Sequence, residues 1–216
     1  MKKKRPELYT EAELHAVEAH IAAQFGSHGM VLHETVSPDI HVDIYVIDPT
    51  PERNNYILVT VGMGAHRMNV PRKLRAQKLE RAELLVCLPP DWEVHSYQDR
   101  RWFWPIGEMK SIARVPVVCN TWLGHGHSVD NFQGVSAPYA DNTQLCGMLL
   151  SVPMLFGDTS FVCGLPGGDM VNFYQLLPLY REEMEFKKAH DATDLLLQLR
   201  IAFEPLNPAR PNLVAE

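Results

Sequence analysis

Two runs rich in β-branched and aromatic residues, His41 to Ile47 and Tyr56 to Val61, flank a connection of Pro, Asn and charged residues. This pattern predicts a β-hairpin with a long loop. The second run breaks on Gly62-Met63-Gly64. Glycine tolerates backbone angles that a Cβ forbids, so a sharp turn or a close approach to the backbone is expected there. Upstream, Leu14, Val17, Ile21 and Phe25 recur at three- and four-residue steps, which predicts one apolar helix stripe. Thr10 and Glu13 form a capping box at its start, and Gly26 stands where the helix should end. Ser27 to His33 offers a short first strand.

Ala82 to Leu88 reads as a continuous apolar run closed by Pro89-Pro90, as expected of a central strand buried on both faces. The basic segment Arg72 to Leu79 fits a short helix or an extended link. Ile106, Met109, Lys110 and Ala113 lie at helical spacing within Phe103 to Val115, and Pro105 places itself in the first turn of that helix. Thr121 to Ala140 is long and irregular, rich in Gly, Ser and His, with Trp122, Phe132 and Tyr139. Loops of this length are uncommon without a function.

Beyond it, Cys146 to Val152 and Phe161 to Gly164 read as strands, and the turn signal Pro166-Gly167-Gly168-Asp169 leads into a strand from Met170 to Leu176. Leu179 to Lys188 and Asp191 to Phe203 form a helix pair, one stripe carrying Tyr180, Met184 and Lys187, the other Leu195, Leu196, Leu199 and Phe203. Helices at both ends with hairpins between them define an α+β fold with a mixed, largely antiparallel sheet flanked by helices. No linker composition interrupts the chain, so one domain over residues 1–216 is expected, with tails at 1–9 and 205–216.

With 46% hydrophobic residues the chain can bury a substantial core, and its net charge of -6 opposes nonspecific nucleic-acid binding. The basic run Lys2-Lys3-Lys4-Arg5 reads as a solvated tail, and the Pro6-Glu7 that follows is unlike the apolar core of an export signal. The longest apolar stretch, Leu145 to Phe156, contains Ser151 and Pro153, and it falls short of the roughly 20 residues that span a bilayer. Cys87, Cys119, Cys146 and Cys163 are widely spaced, without a Cys-x-x-Cys. Reduced cytoplasmic thiols are expected, and neither a structural metal nor a cofactor.

Ten histidines raise a metal-dependent hydrolase as an alternative, with His41, Asp43, His66, His125 and His127 as its ligands. His41 and Asp43 share one face of a strand, and His125-Gly126-His127 adds imidazoles from the irregular segment. No third ligand stands at a diagnostic spacing, so structural roles are favoured. Gly62-x-Gly64 lacks the third glycine of a phosphate cradle, and Cys87 and Cys146 lie in apolar runs that would keep their thiols neutral. Tyr56, Trp92, Trp102, Trp104, Trp122 and Tyr139 lie mostly at segment ends and in loops, where they read as interface anchors, with core plugging an equal reading for Trp104 and Trp122. Glu182, Glu183 and Glu185 read as a solvated helix face.

The order Asp39-x-His41-Val42-Asp43-Ile44-Tyr45-Val46-Ile47-x-Pro49-Thr50, then Leu58-Val59-Thr60-x-Gly62-Met63-Gly64 and Met68, resembles the suppressor-of-fused family, in particular its short bacterial members. Arg81-Ala82-Glu83-Leu84, Leu88-Pro89-Pro90-Asp91-Trp92, Trp104-Pro105-Ile106, Thr121-Trp122-Leu123-Gly124, Val171-Asn172-Phe173-Tyr174-Gln175 and Tyr180-x-Glu182-Glu183-Met184 continue the resemblance in order, from about residue 31 to 199. It implies the SUFU-like N-terminal-domain fold and a protein-binding, non-catalytic role. Bacterial relatives resemble immunity proteins that neutralise toxin domains of polymorphic toxin systems. Larger animal members grip an extended peptide of a zinc-finger transcription factor, and regulatory binding of such a peptide is the further alternative. The partner is then a protein, with no nucleic acid and no membrane, and the chain a monomer or weak homodimer. The expected contact residues are Tyr56, Gly62, Gly64, His66, Arg67, Trp122, His125 and His127, with segments 62–69 and 122–131 forming a cleft on one side of the sheet.

Overall fold

A computed structural model describes residues 5–131, 137–199 and 204–214. Lys2 to Lys4, Phe132 and Phe203 lie outside the described residues, as does the side chain of Leu199. Helix α1 (Glu11–Gln24) precedes strands β1 (Met30–Leu32), β2 (Asp43–Ile47), β3 (Tyr56–Val61) and β4 (Ala82–Leu88). Helix α2 (Arg100–Cys119) follows, then β5 (Ser128–Asp130), β6 (Gly147–Ser151), β7 (Val162–Gly164), β8 (Met170–Leu179), α3 (Arg181–Ala189) and α4 (Ala192–Leu199). The eight strands form one sheet in the order β1-β2-β3-β4-β8-β6-β5, with β7 paired to the start of β8. Of the strand pairs among the described residues only β4 and β8 run parallel, so the sheet is mixed and largely antiparallel, as the pattern predicts.

Strand alternation explains why β4 is apolar throughout. Leu84, Val86 and Leu88 face a core closed by Trp104, Met109 and Ile112 of α2, whereas Leu85 and Cys87 face a second core closed by Val17 and Ile21 of α1 and by Phe25 at its C-terminal end. With side chains on both sides removed from water, each fully buried apolar residue here contributes roughly 1.5–3 kcal/mol. Farther along the α1 side of the sheet, Leu177 and Leu179 of β8 pack under Met184 of α3 and Leu195 of α4.

Helix α1 keeps its predicted capping box, Glu13 N–H donating to Thr10 Oγ1 at 3.3 Å and Thr10 N–H to Glu13 Oε2 at 2.9 Å. Gly26 lies just past its end at φ 110°. Helix α2 begins earlier than its periodicity indicates, because Asp99 caps it by accepting from Arg101 N–H at 3.0 Å. Pro105 therefore sits in the second turn and not in the first. The carbonyl its missing N–H leaves free, that of Arg101, accepts instead from Asn142 Nδ2 at 3.3 Å. Segment 72–79 resolves into a 3-10 turn, Arg72–Gln77, and the irregular segment after α2 contains the short strand β5.

Three further expectations are corrected. Trp92 and Tyr139 are buried rather than displayed, and Trp104 takes the core one of its two readings, stacked on Tyr139 at 4.9 Å and edge-on to Trp92 at 6.4 Å. A loop aromatic becomes core when the loop folds back over an open helix–sheet seam. Glu183 is fully buried, not solvated, because Arg210 of the C-terminal segment pairs with it. That segment is no free tail: Leu206 is buried in the main core.

Candidate functional site

The glycine turn after β3 closes on a protein carboxylate. Glu83 of β4, fully buried, accepts from Gly62 N–H at 2.9 Å and Gly64 N–H at 3.0 Å through Oε1. Tyr9 O–H reaches the same oxygen at 2.8 Å, and Thr60 Oγ1 donates to Oε2 at 2.6 Å. Burial pushes the Glu83 carboxyl up to about 7, against the four donors that favour its charge. Gly62 adopts φ 119°, and a Cβ there would fall 1.9 Å from the His41 carbonyl oxygen. A Cβ on Gly64 would fall 2.0 Å from Tyr9 Oη. Both glycines are buried, and what approaches their backbone is the chain itself.

Farther along the turn, His66 Nδ1 lies 2.9 Å from Glu7 Oε2, and Arg67 is paired with Asp169. The turn then meets the segment after α2. Asn69 N–H donates to the Thr121 carbonyl at 3.0 Å, Asn69 Nδ2 to that of Asn120 at 3.2 Å, and Leu123 N–H approaches Met68 Sδ at 3.4 Å. Tyr56 stands apart from these, at the opposite end of β3 from Gly62.

Segment 122–131 borders a groove of about 610 Å³, lined by Val115, Trp122, Leu123, His127, Val129 and Lys187 among others. Strand β5 forms its floor edge. It is the terminal strand of the sheet, paired through Ser128, Val129 and Asp130 to β6, and no other strand pairs with it among the described residues. The half-buried Trp122 meets the His127 ring edge-on at 4.3 Å. The ladder holds His127 in place, its carbonyl accepting from Leu150 N–H at 2.8 Å, while Val152 N–H donates to His125 Nδ1 at 3.2 Å. Burial lowers the pKa of both imidazoles, and the Lys187 charge lowers that of His127 further. Neutral near pH 7, each ring can accept as well as donate a hydrogen bond. Lys187 Nζ lies 3.3 Å from Ser128 Oγ and supplies the groove with a cation.

The five histidine and aspartate candidates do not converge. His41 Nε2 faces Asp43 Oδ1 at 3.1 Å, with His33 Nδ1 at 2.9 Å from the other oxygen. Burial raises the Asp43 pKa, but the Glu34 N–H and the two imidazoles outweigh it and hold that carboxyl below its ordinary value. His66 is engaged by Glu7, and His125 and His127 belong to the β5–β6 edge. Among the described residues, no three His, Cys, Asp or Glu side chains gather as a metal site would need. The four cysteines are free thiols, three of them buried and Cys119 exposed.

The suppressor of fused protein (SUFU) family model matches residues 38–211. The chain belongs to that family. An uncharacterized protein of Ureaplasma parvum serovar 3 is 24% identical over 186 residues, covering 84% of this chain and 85% of that one. Among solved structures, a suppressor of fused homolog from Neisseria gonorrhoeae FA 1090 is similar with TM-score 0.64 and 18% identity, over 94% of this chain and 98% of the other. The Sufu–Fu complex matches with TM-score 0.61 and 14% identity, over 91% and 85%. Drosophila Suppressor of Fused matches with TM-score 0.59 and 15% identity, and this chain spans only 49% of that protein. These likenesses establish the SUFU fold. No helix among the described residues is long and apolar enough to cross a membrane.

Sequence reasoning passed over Glu83, Lys187 and the Glu183–Arg210 pair. For Glu83 a signal was present: a lone acid inside a run otherwise buried on both faces requires donors, and Gly62 and Gly64 supply them. For Lys187 and Arg210 there was none, since only tertiary packing brings either to its partner.

Proposed function

We propose that this SUFU-family chain is a single, non-catalytic, protein-binding domain that acts in the cytoplasm as an immunity protein, holding a segment of a toxin domain in the groove beside β5. The observation that supports this most is the union of a terminal strand edge with a half-buried tryptophan and a cation in one open groove. A strand edge recognises an extended main chain through its unpaired amides and carbonyls, while Trp122 and Val115 offer contact for an apolar side chain. Of the candidate contacts, Trp122 and His127 line this groove. The Sufu–Fu structure is a protein complex on the same fold, which supports protein binding as the mode of action.

The net charge of -6 favours a basic partner and predicts binding that weakens as salt rises. The test is calorimetric titration of a toxin domain encoded beside this chain with wild type and Trp122→Ala, alongside growth rescue of cells expressing the toxin. Wild type should bind and protect. Trp122→Ala should lose about 2 kcal/mol of affinity, roughly thirtyfold. Failure of wild type to bind or protect removes the immunity reading, and full binding by a folded Trp122→Ala removes the groove.

A further inference from the structure

The sheet contains a notch that the chain fills with its own C-terminal segment. Strands β4 and β8 pair in parallel from Ala82↔Asn172 to Leu85↔Gln175, and then the ladder stops although both strands continue. Val86, Cys87 and Leu88 keep their partners on β3, and Leu176 to Leu179 keep theirs on β6, so among the described residues the edges that face each other across the notch lack a strand partner. Into this opening comes residues 204–214. Leu206 N–H donates to the Cys87 carbonyl at 2.8 Å, as a neighbouring strand would, and its side chain is buried in the main core.

The rest of the segment is held by a few polar clamps. Thr143 Oγ1 donates to the Pro208 carbonyl at 2.7 Å, Tyr180 O–H donates to that of Arg210, and Arg210 Nη2 donates to the Pro178 carbonyl at 2.9 Å. Arg210 also forks onto Glu183, with Nη1 at 2.6 Å from Oε1. Glu183 is fully buried, and Arg210 is the cation paired with it. The fit is incomplete: a cavity of about 150 Å³ remains between strap and strands. Gln175, which lines it, keeps a buried Oε1 with no hydrogen-bond partner among the described residues.

We propose that the β4–β8 notch is a second peptide-binding slot, occupied at rest by the C-terminal strap and open, when the strap lifts, to an extended segment of a partner protein carrying a leucine-like residue followed four positions later by arginine. The chemistry of the occupant follows from the slot. Cys87 offers a main-chain acceptor and the core beneath takes one branched apolar side chain, while Glu183, which accepts from Tyr180 N–H at 2.9 Å but has Arg210 as its counter-charge, favours a guanidinium from the occupant. The strap satisfies all three with Leu206 and Arg210. Tethered to its slot, it competes at a high effective concentration, so the resting chain is autoinhibited towards such partners.

A fluorescently labelled peptide of residues 204–214, added in trans to the full chain, tests this by anisotropy. It should bind full-chain Arg210→Ala, whose own strap lacks the guanidinium, about tenfold or more tighter than wild type. The same peptide carrying Arg210→Ala should not bind either chain. If the labelled peptide binds neither chain while Arg210→Ala remains folded by circular dichroism, or binds both equally, the slot is not exchangeable and the proposal is overturned. Should Arg210→Ala not fold, full-chain Thr143→Val/Tyr180→Phe loosens the strap while keeping the ion pair, and it should show the same gain. Hydrogen exchange on wild type gives an independent reading. The Leu206 amide should exchange through a local opening, with less protection than the β3 amides, whereas exchange only through global unfolding would make the strap a fixed part of the fold.

Discussion

The glycine turn at 62–69 and the segment at 122–131 have the same composition of signals, glycine with histidine and little apolar periodicity, yet the fold uses them in opposite ways. The turn is consumed by the protein. Gly62 and Gly64 donate to the buried Glu83, Tyr9 closes over them, and His66 and Arg67 are engaged by Glu7 and Asp169. The later segment is anchored through the β5–β6 ladder, Met68 and Lys187, and still leaves Trp122, His127 and a strand edge along a groove. Glycine thus marks where backbones must come close, and it is the burial of the approaching group that separates an internal pin from a surface open to a partner.

The comparison is broken most directly at Gly62. Gly62→Ala places a Cβ against the His41 carbonyl in a region of φ that only glycine enters readily. It should destabilise the fold by about 3 kcal/mol or more in urea unfolding, and a loss below about 0.5 kcal/mol would show that the turn is not tightly held.

Glu83→Gln sharpens the same point with a smaller effect, about 1 kcal/mol at pH 5, since the amide keeps an acceptor for the glycine N–H groups and can donate to Thr60. Its diagnostic is pH. The folded-state pKa of Glu83 is raised from 4.5 to about 7, so the native state holds the proton more tightly than the unfolded chain. The stability it contributes is present in full below the unfolded value and is lost as pH rises through about 7. Wild type should therefore lose more stability than Glu83→Gln between pH 5 and pH 8. Parallel pH profiles for the two proteins would mean that Glu83 does not titrate in that window.

On the other side of the comparison, Trp122→Ala should cost the fold least, under about 1 kcal/mol, because the ring is only half-buried. A loss of 3 kcal/mol or more, the range of core tryptophans, would place Trp122 with Trp92 and Trp104 as packing.

Much of the architecture was legible because it is periodic. The hairpin of β2 and β3, the capped α1, and β4 as a strand apolar on both faces follow from alternation, capping and run length. Helix α2 was legible in its body but not at its start, where a cap at Asp99 and a carbonyl satisfied by distant Asn142 let Pro105 sit deeper than local rules suggest. The candidate site was legible only in part. Trp122 and His127 stand out by residue type, whereas Lys187 joins their groove from a helix far along the chain.

The sequence by itself determined most of the strands and helices, the apolar face of α1 and the two-faced burial of β4, and the family to which the order of motifs leads, because those properties depend on neighbours a few residues apart. Only the tertiary structure decided that β4 and β8 lie side by side and in parallel, that their ladder stops at Leu85 and Gln175, and that Leu206 and Arg210 fill the notch beyond. It likewise decided that Glu83 and Glu183, alike as acids in the chain, are both buried, one among hydroxyl and amide donors and the other against a guanidinium. Pairings between residues tens of positions apart leave no local periodicity. They are selected by which edges and charges remain unsatisfied once the sheet has formed, and that is a property of the assembled fold alone.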